Sequence, residues 1–152
     1  APGQVAIAGH AEAVERATES AKAAGAKRAI RLPLSVPVHC ELMRPAAEAF
    51  SEYLAAAEFE TPKIPVIHNV DVSEHDNPEQ IRRILTAQVY RPVRWSETIQ
   101  ALSASGVDTL VEMGPGKVLT GLARRIDRNL TGLPVTDLAT LGKALELTAS
   151  SA

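Results

Sequence analysis

From residue 38 onward the apolar residues switch spacing repeatedly, three to four apart in one stretch and nearly continuous in the next. Short strand-like and longer helix-like segments in alternation fold as helices packed on a mostly parallel sheet, because each parallel connection needs a crossover. This pattern predicts an α/β fold. A helix follows Cys40, with Pro45 tolerated in its first turn and Met43, Ala46, Ala47, Phe50, Leu54 and Ala57 on its apolar face. Residues 64–70 read as a strand buried on both faces, and 71–78 as a polar loop leading into a helix over 78–89. Helices over 93–104, 117–128 and 139–147 and strands over 108–113 and 133–137 complete the alternation, leaving 148–152 as a frayed tail. Ahead of residue 38, a strand over 4–8, a helix from Ala11 stopped by Gly25, and a strand over 29–34 make a β-α-β unit.

Bulk properties exclude several classes of function. A net charge of −2 and only 3% aromatic residues give no electrostatic or stacking footprint for nucleic acid. No apolar run approaches the length of a membrane span. A single cysteine allows no internal disulfide, and no signal peptide is evident, so a cytoplasmic protein is expected. The 152 residues suit one domain or part of a larger one, and an opening Ala1-Pro2 reads as mid-loop.

The chemistry concentrates at residues 32–40, an apolar run braced by Pro33 and Pro37 that presents His39 just before a helix. Composition alone favours a solvated loop histidine, so a second residue is needed to give it a role. Gln88 supplies one. It follows Ile81 by seven positions and Ile84 by four, so it shares their inward face, and Arg91-Pro92 ends the helix just beyond it. The last four carbonyls of that helix lack intrahelical donors. A free carbonyl at a helix C-terminus can orient an imidazole, and the partial negative charge there favours the imidazolium of a general base. Glu41, two residues from His39, is expected to point away.

Other motifs carry less. Cys40 beside His39 is a conceivable nucleophile, but adjacent side chains diverge and buried thiols are commonly inert. The spacings of His10, His39, His68, His75 and Cys40 match no metal-ligand pattern, so no metal is expected. Gly9-His10-Ala11 imitates a nucleophile elbow with alanine in place of serine, and reads as a turn and helix start. Gly114-Pro115-Gly116-Lys117 lacks the glycine spacing and hydroxyl of a phosphate loop, and reads as a tight strand-to-helix turn. Lys27-Arg28 and Arg124-Arg125 are small basic pairs that matter if a partner is acidic.

Together these residues resemble a known family. Ser35-Val36-Pro37-Val38-His39-Cys40 with Leu42-Met43 and Pro45-Ala46-Ala47 is similar to the histidine segment of malonyl-CoA:acyl carrier protein transacylases. Asn69-Val70-Asp71, then Gln88-Val89-Tyr90 with Pro92-Val93 and Trp95, then Glu112-Met113-Gly114-Pro115-Gly116-Lys117-Val118-Leu119 follow in the family's order. Pro2-Gly3-Gln4-Val5 with Ile7 and Gly9 resembles a strand of the family's small subdomain.

The resemblance implies the C-terminal part of an α/β-hydrolase-like parallel-sheet core over 36–147, preceded by the closing β-α-β portion of a ferredoxin-like subdomain over 1–35. It implies malonyl transfer from malonyl-CoA to the phosphopantetheine thiol of acyl carrier protein through a malonyl-serine ester, with His39 as base and the Gln88 backbone carbonyl orienting it. Malonyl-CoA enters as substrate and no cofactor is implied. The family's nucleophilic serine, its carboxylate-binding arginine and its oxyanion-hole amides lie upstream of this segment, and no Gly-x-Ser-x-Gly occurs here. The chain is thus expected to be inactive without the N-terminal half, and to expose a sheet edge and apolar surface that half would cover. Acidic carrier proteins make Lys27, Arg28, Arg124 and Arg125 candidate docking residues. The competing expectation is a non-catalytic fragment, or a module that only docks a carrier protein.

Overall fold

The computed structural model describes residues 1–149, apart from the side chain of Thr148. Its helices are α1 (Ala11–Ala23), α2 (Arg44–Ala56), α3 (Pro78–Tyr90), α4 (Trp95–Ala104), α5 (Val118–Ile126) and α6 (Leu138–Ala149), with one 3₁₀ turn at Glu41–Met43. Its strands are β1 (Ile67–His68), β2 (Ser73–Glu74), β3 (Thr109–Met113) and β4 (Thr131–Val135). Two compact units emerge: one spans Ala6–Arg94, and the other joins Ala1–Val5 to the chain from Trp95 onward.

In the first unit α2 packs on α3, with Ala47 and Leu54 of α2 and Ile81 of α3 buried. Local chemistry sets the ends of both helices. Asn77 accepts the backbone N–H of Glu79 at 2.8 Å and of Gln80 at 3.3 Å, and Pro78 needs no donor in the first turn. At the other end of α2, the Arg82 guanidinium donates to Leu54 O at 2.9 Å, which also accepts the Ala57 N–H at 3.2 Å, and to Ala57 O at 2.8 Å just past the helix.

The second unit is built on β3 and β4, which pair in parallel from Thr109↔Thr131 to Met113↔Val135. Ile99 of α4, Ala123 of α5 and Leu130 form its buried centre, with Trp95, Leu102, Leu110 and Ile126 packed around them. α4 stops where Gly106 adopts φ +94°, and the next N–H, that of Val107, returns to Leu102 O at 3.1 Å. Gly132 permits a close approach: a Cβ there would lie 3.0 Å from Thr120 Cβ, so α5 rests directly on the β4 backbone. The turn over 114–117 is tight, as expected, and is stabilised by Glu112, whose carboxylate accepts N–H from Leu119 at 3.1 Å and Thr120 at 2.7 Å. These two bonds cap α5, and the Thr120 amide foremost holds the Glu112 carboxyl below its ordinary range.

Several expectations require correction. Residues 4–8 and 29–34 are not strands, so the β-α-β unit over 1–35 is represented by α1 alone. Ile7, Ile30, Leu32 and Leu34 are instead exposed. A strand is stable only beside a partner, and no described segment pairs with either stretch. The strand expected over 64–70 contracts to β1, leaving Ile64 76% and Val66 48% exposed rather than buried on both faces. β1 pairs antiparallel with β2, two residues on each strand, so one of the two described pairings is not parallel. The last strand is shifted two residues toward the N-terminus, and α6 continues to Ala149 into the expected tail, whose residues 150–152 lie outside the described part.

Candidate active site

The segment before α2 delivers His39 as the prolines suggest, but by a backbone turn that residue type alone did not reveal. His39 has φ +63°, in the left-handed region that histidine enters several-fold more often than most non-glycine residues. In that conformation its backbone N–H donates to Val89 O at 3.1 Å while ring Nδ1 stands 2.9 Å from Gln88 O. A carbonyl cannot donate, so Nδ1 is the donor of this bond, and in the neutral ring Nε2 keeps its lone pair. The side chain is exposed, and no partner of Nε2 is found among the described residues.

Why these two carbonyls are available follows from Pro92. Continuing α3 would direct the N–H of residue 92 to Gln88 O and that of residue 93 to Val89 O. Proline has no N–H, and it forces Arg91 out of helical backbone to φ −100°, ψ 153°. Arg91 N–H still reaches Ala87 O at 2.9 Å, so the next two carbonyls fall to His39. The half-buried Gln88 is thus brought to His39 through its main chain.

Around this contact, Glu41 turns from His39 to Arg44, its Oε2 lying 2.7 Å from Arg44 Nη2. Arg44 Cζ sits 4.3 Å from the centre of the Tyr90 ring. Its pKa is raised above the ordinary arginine value, first by the Glu41 hydrogen bond and then by Tyr90. The Cys40 thiol faces Pro37 O at 3.1 Å, so its contact is structural and not with the imidazole. His10 precedes α1 without a capping side-chain bond. His75 Nε2 donates to Asp71 Oδ2 at 2.8 Å, and His68 lies beside it with ring centres 5.5 Å apart. Burial, then the neighbouring His75, lowers the His68 pKa. No described group of three or more His, Cys, Asp and Glu has the arrangement to hold a metal ion.

The candidate docking residues divide between the units. Lys27 and Arg28 are exposed in the first. In the second, Arg125 donates to Gln4 Oε1 at 2.6 Å and Pro2 O at 3.0 Å, which engages much of its guanidinium. Arg124 instead lines an open groove of about 600 Å³ with Lys117, Arg128 and Asn129. Sequence reading missed Arg128, Val89 and the Arg44–Tyr90 contact. Of these, Val89 was accessible from the helix arithmetic, because its carbonyl is one of the last four of α3.

Residues 1–143 match the acyl transferase domain family. The chain belongs to that family. Malonyl CoA-acyl carrier protein transacylase of Escherichia coli K12 is 51% identical over 146 residues, covering 96% of this acyl transferase chain and 47% of the relative. A solved malonyl CoA-acyl carrier protein transacylase from Coxiella burnetii superposes with TM-score 0.88 at 46% identity, over 91% of this chain and 44% of that one. A type II PKS acyl-carrier protein in complex with its malonyl-transacylase gives TM-score 0.87 at 51% identity, over 90% and 44%. This acyl transferase chain therefore spans about half the length of the curated relatives it matches. Among its described residues, no helix is long and apolar enough to cross a membrane.

Proposed function

We propose that this chain is the histidine-bearing half of a malonyl-CoA:acyl carrier protein transacylase. The observation that carries the reading is the Nδ1 contact of His39 with Gln88 O at 2.9 Å, which in the neutral ring makes Nε2 the basic nitrogen on an exposed side chain. Nε2 takes the proton of a serine hydroxyl supplied by the other half as that oxygen attacks the malonyl thioester. The imidazolium so formed returns the proton to the departing coenzyme A thiolate. In the second half-reaction Nε2 takes the proton of the carrier protein's phosphopantetheine thiol. That sulfur attacks the malonyl-serine ester, and the serine oxygen leaves with the proton. Both half-reactions balance without a cofactor.

On this reading residues 36–147 belong to an α/β-hydrolase-like core and 1–35 to a ferredoxin-like subdomain, in a cytoplasmic enzyme. Exposed Ile30, Leu32 and Leu34 in one unit, and Met113 at 69% exposure in the other, support an N-terminal half that covers them. Lys27, Arg28 and Arg124 would receive acidic carrier-protein side chains, with Arg125 contributing what its contacts to Pro2 and Gln4 leave free. The groove at Arg124 and Arg128 also suits a second reading, a module that docks a carrier protein without catalysing transfer.

Malonyl-CoA labelling separates the two. The 152-residue chain alone should acquire no stable malonyl adduct, and an adduct on it would overturn the assigned roles. In the serine-bearing enzyme containing this segment, His39→Ala should lower kcat by roughly 10²–10⁴, as expected for loss of a general base. Unchanged turnover would leave only the docking reading.

A further inference from the structure

Beside the His39–Gln88 contact, Arg44 links the segment that follows His39 to the end of α3. Tyr90, the last residue of α3, is half-buried and carries Arg44 over its ring at 4.3 Å, with Arg91 Cζ 5.9 Å from the same centre. Arg44 opens α2, and its Nε and Nη2 both reach Glu41 Oε2, at 2.9 and 2.7 Å. The result is a closed path. Glu41 lies two residues from His39, Tyr90 lies two residues from Gln88, and Arg44 joins them beside the His39–Gln88 contact. A histidine in left-handed backbone persists where its surroundings hold it, and it relaxes toward ordinary extended or helical backbone when released. Relaxation at His39 would carry the ring away from Gln88, since the same φ aims both its N–H and its ring at α3.

We propose that Arg44 and Tyr90 are positioning residues that hold His39 in its left-handed conformation against the C-terminal carbonyls of α3, with Glu41 fixing Arg44. Neither touches the reacting atoms. Their effect is to keep the Nδ1–H tautomer populated, so that Nε2 stays the basic nitrogen. The purpose rests on the reading of His39 as base; the positioning itself is a property of this chain and is measured without turnover.

Two-bond ¹H–¹⁵N spectra of the full 152-residue chain, recorded where histidine is neutral, report which ring nitrogen carries the proton. His39 should be the Nδ1–H form. Arg44→Met and Tyr90→Leu should each lower its ratio to the Nε2–H form by about two- to fivefold, the scale of an exposed cation–π contact. Arg44→Lys keeps the charge and Tyr90→Phe keeps the ring, and both should restore most of the ratio. Backbone amide spectra check that α2 and α3 survive. Should Tyr90→Leu disturb α3, Arg44→Met decides, because its side chain is 49% exposed and its replacement leaves the packing intact. An unchanged His39 tautomer ratio in a folded Arg44→Met chain overturns the proposal while leaving the role of His39 open. Retained turnover in His39→Ala overturns that role and leaves the positioning standing.

Discussion

His39 caps the C-terminus of α3 on two successive carbonyls, its backbone N–H on Val89 and its ring Nδ1 on Gln88. A residue doing both at once must aim its main chain and side chain the same way, which the φ of +63° achieves. The arrangement ties the imidazole to a helix end, a rigid support with negative partial charge, rather than to a mobile carboxylate. Glu41, the nearest carboxylate in sequence, is committed to Arg44 instead.

Pro92 is therefore expected to matter although it lies outside the contact. In Pro92→Ala the new N–H competes for Gln88 O, and Arg91 loses the restriction that proline imposes on it. One further turn of α3 would displace the His39 ring. The expected outcome is a His39 ring released to a mixture of tautomers, with α3 folded and more protected at its end. Imidazole ¹⁵N spectra together with amide exchange over residues 88–93 check this, and a wild-type tautomer with an unextended α3 would refute it.

Gly132→Ala tests the contact between α5 and β4. The added Cβ would stand 3.0 Å from Thr120 Cβ and 3.2 Å from Cγ2, and the nearer atom lies next to the helix backbone and cannot swing aside. Relief requires α5 and β4 to give by a few tenths of an ångström, at a cost of about 1–3 kcal/mol typical of overpacking. Denaturant unfolding of the wild type and variant measures it. Equal midpoints would mean that helix and strand separate freely.

How much of this was legible in the sequence depended on whether a feature was local. Helix ends were readable because Asn77-Pro78, Pro92 and Gly106 act within a turn of their own positions. β3 and β4 form because each finds its partner within the chain. Residues 4–8, 29–34 and 64–66 are also apolar, yet a ladder is a relation between two segments and none of these finds a partner among the described residues. The candidate site was half legible. Pro92 announced that Gln88 O would lack a helical donor, but which donor arrives is decided by tertiary packing of α2 on α3. Nothing in the residues around His39 announced its left-handed backbone. The Arg44–Tyr90 contact was invisible for the same reason as the ladders: it joins residues 46 positions apart.

Acid should loosen the unit containing β3 and β4 first at its carboxylate caps. Glu112, Asp127 and Asp137 all have lowered pKa values. The leading causes are the backbone N–H of Thr120, the Ser103 hydroxyl and the backbone N–H of Thr140, respectively. Carboxyls depressed in the fold bind protons more readily when unfolded, so their stabilisation is complete above the unfolded value. It is lost as pH falls through the folded one. The loss should therefore begin near pH 4 and grow below it. Glu112→Gln removes one charged cap from α5 and should lower the thermal midpoint at neutral pH while flattening its acid dependence. A parallel acid profile in variant and wild type would show that Glu112 does not titrate in this range.

His68 sets a second and higher pH window, in the unit that holds His39. Its side chain is 8% exposed, its pKa is lowered by burial and then by His75, and the nearby Asp71 opposes the shift. His75 and Asp71 face it from the same hairpin, and their mutual bond keeps the carboxylate turned to His75. A buried imidazole held neutral favours the fold while pH stays above the unfolded histidine value. That advantage declines as pH drops below about 6.5, where the unfolded chain takes up the proton first. Amide exchange across β1 and β2 should therefore accelerate between neutral and mildly acidic pH, ahead of the carboxylate transition. Replacing the titrating group, as in His68→Gln, should remove this pH dependence even where it lowers overall stability. Proton titration followed at the His68 ring decides the matter: a midpoint at or above the free imidazole value would mean that burial does not hold it neutral.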